Sequence, residues 1–482
     1  MHLTQLLNGI CCKVIGNADI VIDSLCCKSS EASPNCMFIC LCGGQADGHE
    51  YAYKAVESGA IALVVERILP HINVTQVIVS DSRACMALIA KHFYNNAVDK
   101  LRVISVIGTN GKTSTTYLAS SVFAHAGYIT AIVGSNGIFI NGQHYITSLT
   151  TPDPIELHRY FALMVDMGVK YVFIEVSAHA IYYKKMEGII STATVFTNFS
   201  QDHLDFFGDM EHYASVKKGY FTTAYTRICV INADDALGQK IIFEEKLPCI
   251  TYGLTCPADV FAINCACDND GIHYVINLLD DVYKVDYNLQ GQFNIYNTLC
   301  VSALARVFGI RMEQIYEGIL AVRRIEGRNE TFIAKNGAKV VVDFAHTPDG
   351  FVNILEYLKS ITKGKLIVVF GCGGDRDRFK RPLMGKVVST LADYAILTND
   401  NPRQEPQDQI INEIVCGLTI EHNIVYDRKS AILQALDMAN DGDTVAILGK
   451  GAESYQEISG DKIPYSDIDT VQSLISADIN KG

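Results

Sequence analysis

One stretch constrains this chain more than any other: "RVISVIGTNGKTSTTYLASSVFAHAG", residues 102–127. An apolar run that predicts a strand leads into Gly108-Thr109-Asn110-Gly111-Lys112-Thr113-Ser114, and a helical pattern follows. Glycines let backbone N–H groups close around phosphate oxygens, and a helix N-terminus adds favourable partial positive charge. Lys112 would reach the β- and γ-phosphates of ATP, and Thr113 would ligate Mg²⁺ through its hydroxyl. The usual loop has one more glycine upstream; Val106 and Ile107 stand there, so this loop is shortened. An ordinary glycine-rich turn is the bland alternative, which the full strand–loop–helix context disfavours. The chain is therefore expected to be α/β, with mostly parallel sheets, flanking helices and ligands beyond the carboxyl ends of the strands.

At 482 residues the chain exceeds one ordinary core. Three textures divide it: residues 1–97 with short apolar runs and turns, 98–322 with alternating strands and helices, and 323–482 with a stricter β/α rhythm. A net charge of −13 argues against a nucleic-acid partner. The start lacks a signal peptide's basic and apolar regions, and no apolar run has membrane-spanning length. A cytoplasmic protein without membrane insertion is expected, its sixteen cysteines reduced thiols. Cys36, Cys40 and Cys42 cluster loosely, with His2 and His49 the nearby histidines. Paired close spacings of a zinc site are missing, so small buried hydrophobes are the better reading.

A helix is expected from Pro154, with Asp153 as N-cap, Leu157, Phe161, Met164 and Val165 along one face, and Gly168 as its stop. In the last third, "KVVVDFAH", "KLIVVFGCGG", "ADYAILTND" and "TVAILGKG" read as buried parallel strands ending in polar or glycine residues. "FGCGGDR" half-matches a dinucleotide fingerprint, but Arg376 replaces the third glycine and suits an anionic ligand instead.

Chemistry-bearing residues sit where strands should end. "FIEVSAHA" puts Glu175 at a strand end, with Ser177 two residues on along the same face. "NFSQDHLDFFGDMEHYASVKK" crowds Asp202, His203, Asp205, Asp209 and His212 before a helix carrying Lys217 and Lys218, of which only one can face inward. Metal-assisted phosphoryl transfer needs a carboxylate beyond the loop, and Glu175 is the natural choice. "TNDNPRQEP" sets Asp400, Asn401, Pro402 and Arg403 together past another strand. A carboxylate beside a guanidinium asks for a ligand bearing both signs of charge. Arg403 could instead merely pair with an acidic surface neighbour such as Glu405.

These motifs, with "TTPDP", "GQFNIYN", "GRNE", "VVDFAHTPDG", "GCGGDRDRFKRPLMG" and "GKGAE", occur in an order that resembles the Mur ligase family, closest to its diaminopimelate-adding branch, over residues 28–453. The resemblance implies three domains: a UDP-substrate-binding domain (1–97), a central P-loop ATPase domain (98–322) and a Rossmann-like amino-acid-binding domain (323–482). It implies ATP-dependent, Mg²⁺-dependent addition of meso-diaminopimelate to UDP-MurNAc-L-Ala-D-Glu through an acyl phosphate, in peptidoglycan precursor synthesis. A monomer is expected. Catalysis would rest on Lys112, Glu175, His203 and Lys217, with Thr113, Glu175 and His203 as metal ligands and Lys217 carbamylated to N6-carboxylysine. Besides the loop, Asn294, Asp343 and His346 would contact ATP. Ser29, Thr150, Thr151, Ser177, Tyr183 and Lys185 would hold the sugar nucleotide. Arg376, Asp400, Asn401, Pro402, Arg403, Gly449 and Glu453 would hold diaminopimelate.

Departures gather on the sugar-nucleotide side. The family's Asp-Ser-Arg reads Lys28-Ser29-Ser30, its second serine is Ala178, and Tyr183 and Lys185 replace a glutamine and an arginine. Ala452 replaces the histidine of "GKGHE". A related ligase with another carrier or amino acid (lysine, or a folate type) and a non-catalytic nucleotide-binding scaffold remain as alternatives.

Overall fold

The computed structural model describes residues 1–43, 46–279 and 281–477. The chain forms two compact units. The first comprises Met1–Ser105, Tyr128–Thr194 and Tyr220–Ile228, and the second Val106–Gly127, Val195–Gly219 and Cys229–Gly482. The fold is α/β, with mostly parallel strands and flanking helices, as expected.

In the first unit, a five-stranded sheet runs in the order Lys13–Ile15, Thr75–Ile78, Ala60–Val65, Cys36–Ile39, Ser24–Cys26. All pairings are parallel except the first, at the edge. Its unbroken apolar runs follow from burial on both faces. Met37, Ile39, Ala62 and Val64 pack with Cys85, Met86 and Ile89 of the helix Ser82–Phe93. Phe38, Leu63 and Val65 pack with Ala52 and Ala55 of the helix Ala52–Glu57. Further along, Thr130–Gly134 pairs parallel with Tyr171–Glu175. The expected helix spans Pro154–Asp166, buries Leu157, Phe161 and Met164, and ends before Gly168 at φ +74°. Asp153 does not cap it with its side chain; its carboxylate pairs with Lys185 at 2.9 Å instead.

In the second unit, a six-stranded sheet runs Glu330–Ile333, Lys339–Asp343, Thr444–Leu448, Leu366–Phe370, Tyr394–Leu397, His422–Ile424. It is parallel except at its first strand. Alternate residues serve opposite faces: Val341, Leu366, Val368 and Phe370 meet Phe351, Leu355 and Val388, while Val340, Val342, Ile367 and Val369 meet Ala431, Ile432 and Ala435. The four expected strands are all present. Earlier in this unit Cys229–Asn232, Cys249–Gly253 and Val260–Cys267 pair in parallel. An antiparallel meander, Ile272–Leu278 and Asp281–Tyr287, extends them.

All sixteen cysteines are free thiols. Cys36 and Cys40 are buried as expected; Cys42 is exposed. Cys36 lies near Cys26 (Sγ–Sγ 3.7 Å), whereas Cys42 gathers with Asp47 and His49. There His49 Nδ1 bonds to Asp47 at 2.6 Å and Nε2 accepts the Glu66 N–H at 3.0 Å, so both ring nitrogens are committed. No described helix is long and apolar enough to cross a membrane.

Candidate active site

The strand Arg102–Ile107 ends where Gly108 begins, and the helix Lys112–His125 starts after Gly111 at φ +82°, a left-handed turn that suits glycine. The intervening loop is pinned from several sides. Thr109 N–H donates to Asn198 O (2.9 Å), Asn110 N–H to Asn198 Oδ1 (2.8 Å), and Asn110 Nδ2 to Asp349 Oδ2 (2.9 Å). Lys112 Nζ folds back onto the carbonyls of Gly108 (3.0 Å) and Thr109 (2.9 Å). Thr113 and Ser114 are buried in the first turn, and Thr113 Oγ1 accepts from Arg328 Nη2 at 2.9 Å. Loop, lysine and helix N-terminus lie together here, the strand–loop–helix arrangement that the spacing predicts.

Beside the loop, the helix Met210–Lys218 delivers Lys217 into the interior, 1% exposed, with Nζ 3.1 Å from Thr109 Oγ1. Lys218 points the other way and pairs with Glu244, so the expectation that only one lysine faces inward holds. Burial, with the charge of Lys112 adding to it, holds the Lys217 ammonium well below the usual lysine range. A neutral amine in this position is nucleophilic.

Asp202 organises the neighbouring residues. Burial would push its carboxyl up, but Lys380 (3.0 Å), His203 (3.3 Å) and His346 (3.5 Å) outweigh burial and hold it well below the ordinary carboxylate value. His203 is fixed here in a left-handed conformation, φ +58°, at the head of the short helix Leu204–Phe207. His346 also bonds Phe344 O through Nδ1 at 2.9 Å. Asp343 uses its carboxylate locally, accepting from the backbone N–H groups of Asn329 (2.7 Å) and Ala345 (2.7 Å). Asn294, buried in the helix Phe293–Val307, accepts from Asn297 Nδ2 at 2.9 Å and donates to Gln290 O at 2.8 Å. Asp202 was legible only as one acid in a crowd. Arg328 and Asn297 are legible only as letters of "GRNE" and "GQFNIYN", and Lys380 as part of the locally basic stretch "GGDRDRFKRP"; no local pattern marks them as neighbours of this site.

The second charged site lies past the strands of the six-stranded sheet. Asn401, 2% exposed, donates to Glu453 Oε2 (2.9 Å), and its Oδ1 accepts from Lys450 Nζ (3.0 Å) and Glu457 N–H (2.9 Å). Lys450, fully buried, also reaches Glu453 Oε2 at 2.7 Å. Gly449 has φ +116°, and a Cβ there would lie 2.6 Å from Asp400 Oδ2, so only glycine lets these two loops approach. Arg403 does not pair with Glu405. Its Nε donates to Glu457 Oε2 (3.1 Å) and its Nη1 to Gly374 O (2.7 Å). Glu405 is held by the fully buried guanidinium of Arg381, through two bonds of 2.7 Å. Pro402 is buried between Asn401 and Arg403. Arg376 is exposed, donating to Asp375 O at 3.1 Å.

The first unit holds the remaining candidates. Glu175 ends the strand Tyr171–Glu175, 1% exposed, and accepts from Ser135 N–H (3.0 Å) and Ser135 Oγ (3.3 Å). Thr150 Oγ1 is 3.1 Å from Ser135 Oγ, and Thr151 Oγ1 donates to Glu175 O at 2.8 Å. Ser177 is not on the strand: it caps the helix Ala178–Tyr182, accepting from Ala180 N–H at 3.1 Å. The strand period therefore does not apply to it, but Thr151 still gathers it, accepting the Ser177 N–H at 3.1 Å. Lys185 donates to Thr151 O at 3.0 Å. Tyr183 lies under the guanidinium of Arg83, 4.3 Å from the ring centroid. Ser29 opens the turn Ser29–Glu31, where Lys28 pairs with Glu31 at 3.0 Å.

Fold and site together define a P-loop nucleotide-binding α/β protein with a second, charge-lined parallel sheet. Residues 21–94 match the Mur ligase family catalytic domain, 106–305 the Mur ligase middle domain and 327–451 the Mur ligase glutamate ligase domain. The UDP-N-acetylmuramoyl-L-alanyl-D-glutamate–2,6-diaminopimelate ligase of Caldanaerobacter subterraneus subsp. tengcongensis is 38% identical over 480 residues, 99% of each chain. A solved structure of a ligase with that name is 30% identical, with a TM-score of 0.66 over 95% of both chains. MurF ligase from Thermotoga maritima in complex with ADP shares the fold, with a TM-score of 0.66 at 17% identity over 95% of this chain and 98% of that one. The chain belongs to the Mur ligase family.

Proposed function

We propose that this protein is the ATP-dependent ligase that joins meso-diaminopimelate to UDP-MurNAc-L-Ala-D-Glu, forming ADP and phosphate, in peptidoglycan precursor synthesis. On this reading residues 1–97 bind the UDP substrate, 98–322 bind ATP and 323–482 bind the amino acid, in a cytoplasmic monomer. The carrying observation is the Asn401–Arg403–Lys450–Glu453 group: a buried amide and ammonium beside a half-buried guanidinium and carboxylate, charges of both signs that suit a zwitterionic ligand end, in a chain with this phosphate loop.

The chemistry follows from those charges. Lys112 and the loop amides hold the ATP phosphates while the D-glutamate carboxylate attacks the γ-phosphorus, and ADP leaves. The resulting acyl phosphate converts a poor leaving group into a good one. The amine of diaminopimelate attacks its carbonyl carbon, a tetrahedral intermediate forms, and phosphate departs as the amine loses a proton. Beside the phosphate loop Thr113 supplies a hydroxyl and a carbamate on Lys217 would add an anion, oxygen donors that suit Mg²⁺. The cation, when bound, supplies charge neutralisation between the two reacting anions. The neutral amine of Lys217 is the state that adds carbon dioxide to give that carbamate. At the far end, Arg403 and Arg376 take a carboxylate of diaminopimelate, while Asp400 and Glu453 accept from its ammonium group and Asn401 holds Glu453 in place.

A second reading, a ligase of the same family acting on a different carrier, is favoured by one observation. Lys185, standing where the resemblance expects an arginine, is occupied by Asp153 and the Thr151 carbonyl. Phosphate release from ATP, measured with UDP-MurNAc-L-Ala-D-Glu and either diaminopimelate or lysine, tests both readings. Release that needs the UDP substrate and diaminopimelate together supports the first. Release with diaminopimelate only when another carrier is supplied supports the second, and none with any acceptor overturns both.

A further inference from the structure

On the proposed reading Arg403 is one of the cations of the amino-acid site, and its guanidinium is not simply presented by its own backbone. The residue sits in the left-handed region at φ +53°, in a loop six residues beyond the end of the strand Tyr394–Leu397. Such a side chain has many rotamers, and ordering it costs conformational entropy that a binding site must meet before the ligand arrives. What holds it comes from the hairpin Tyr455–Ile458 and Asp461–Pro464.

Glu457 of that hairpin is tied to the Asn401–Arg403 loop in three ways. Its carboxylate accepts from Arg403 Nε at 3.1 Å, its carbonyl accepts the Arg403 N–H at 3.0 Å, and its own N–H donates to Asn401 Oδ1 at 2.9 Å. Arg403 Nη1 is meanwhile anchored on Gly374 O at 2.7 Å. A guanidinium carries five N–H donors in a rigid fork. Nε and one Nη1 donor are thus committed to protein, leaving three for a ligand, both of those on Nη2 included. That remainder is enough for a two-point bond to one carboxylate.

We propose that Glu457 is a positioning residue for amino-acid selection: it fixes the Arg403 guanidinium through Nε so that the Nη donors fork onto the carboxylate of the incoming amino acid. The inference rests on the proposed reaction. Glu457 itself touches no reacting atom. Because it shares Asn401 with Lys450 and Glu453, it also sets the loop that carries the ammonium acceptors.

The test is a double-mutant cycle on the full chain, read as steady-state kinetics with diaminopimelate at saturating ATP and UDP substrate. Glu457→Ala should raise KM for diaminopimelate about tenfold with kcat within about twofold, and leave KM for ATP unchanged. Glu457→Gln keeps an oxygen for Nε and should recover most of the loss. Arg403→Ala combined with Glu457→Ala should be no worse than Arg403→Ala alone, because a residue acting through Arg403 has nothing left to act on. Losses that multiply in the double variant would mean that Glu457 supports the fold independently. An unchanged or lowered KM in Glu457→Ala would mean that it idles or competes with the ligand. Wild-type protein unable to ligate diaminopimelate would overturn the reaction and this role together. Active wild type with an indifferent Glu457→Ala overturns the role alone.

Discussion

The phosphate loop and the amino-acid site do comparable work, holding anions, but they are built in opposite ways. The loop motif is seven consecutive residues, Gly108–Ser114, running from the end of a strand into the first turn of a helix, so its path is fixed by contiguous chain. The amino-acid site is assembled from residues 373–376, 381, 400–405 and 449–457, and most of its side chains are set by partners distant in sequence, Lys450 and Glu453 being a local pair. A contiguous backbone device tolerates drift elsewhere in the chain. A dispersed side-chain network lets specificity change through single residues that leave the phosphate chemistry intact.

The largest effect should come from the loop. Lys112→Ala should lower kcat on the order of a thousandfold with either amino acid, since the phosphate charge loses its fixed counter-charge. Turnover near wild type would remove the loop from the reaction. Lys217→Ala should cost roughly a hundredfold or more, with partial recovery on adding short carboxylates that stand in for the carbamate. Mass measurement of active enzyme showing an unmodified Lys217 would count against that role.

Arg403→Ala should cost about 2–4 kcal/mol with diaminopimelate, roughly thirtyfold to a thousandfold in kcat/KM, because a substrate carboxylate loses its partner. Activity with lysine should change little. Equal losses with both amino acids would place Arg403 among the structural residues and dissolve the contrast between the sites.

Asp202 connects the loop side to the sheet side through Lys380 and the two histidines. A carboxyl whose folded pKa lies below its unfolded value gives stability that is full above the unfolded value and is lost as pH falls through the folded one. Thermal stability should therefore decline below about pH 4, the ordinary aspartate range, and Asp202→Asn should flatten that decline. An unaltered acid profile in the variant would show that other carboxyls govern it. The smallest effect belongs to Ser29→Ala, expected to raise KM for the UDP substrate a few-fold, at a cost of about 1 kcal/mol, with kcat unchanged. A pure kcat defect would show that residues 28–30 do not contact the sugar nucleotide.

Read from the sequence alone, the strand–loop–helix at 102–127, the helix at Pro154 and the parallel strands of the last third were determined, because each is encoded by contiguous spacing. That only one of Lys217 and Lys218 faces inward was determined too, since helical period admits only one; packing shows it to be Lys217. What the tertiary structure decided was partnership. Asp153 stands at the N-cap as read but spends its carboxylate on Lys185; Ser177 reads as a strand residue and became a cap; Arg403 stands near Glu405 in sequence and was claimed by Glu457. The linkage of Arg328 to Thr113 left no local pattern, whereas the meander strand Ile272–Leu278 carries an inward alternation at Ile272, Tyr274, Ile276 and Leu278. The physical reason is range: backbone conformation follows from neighbours a few residues away, whereas a buried charge takes whichever partner the packed chain brings within about 3 Å.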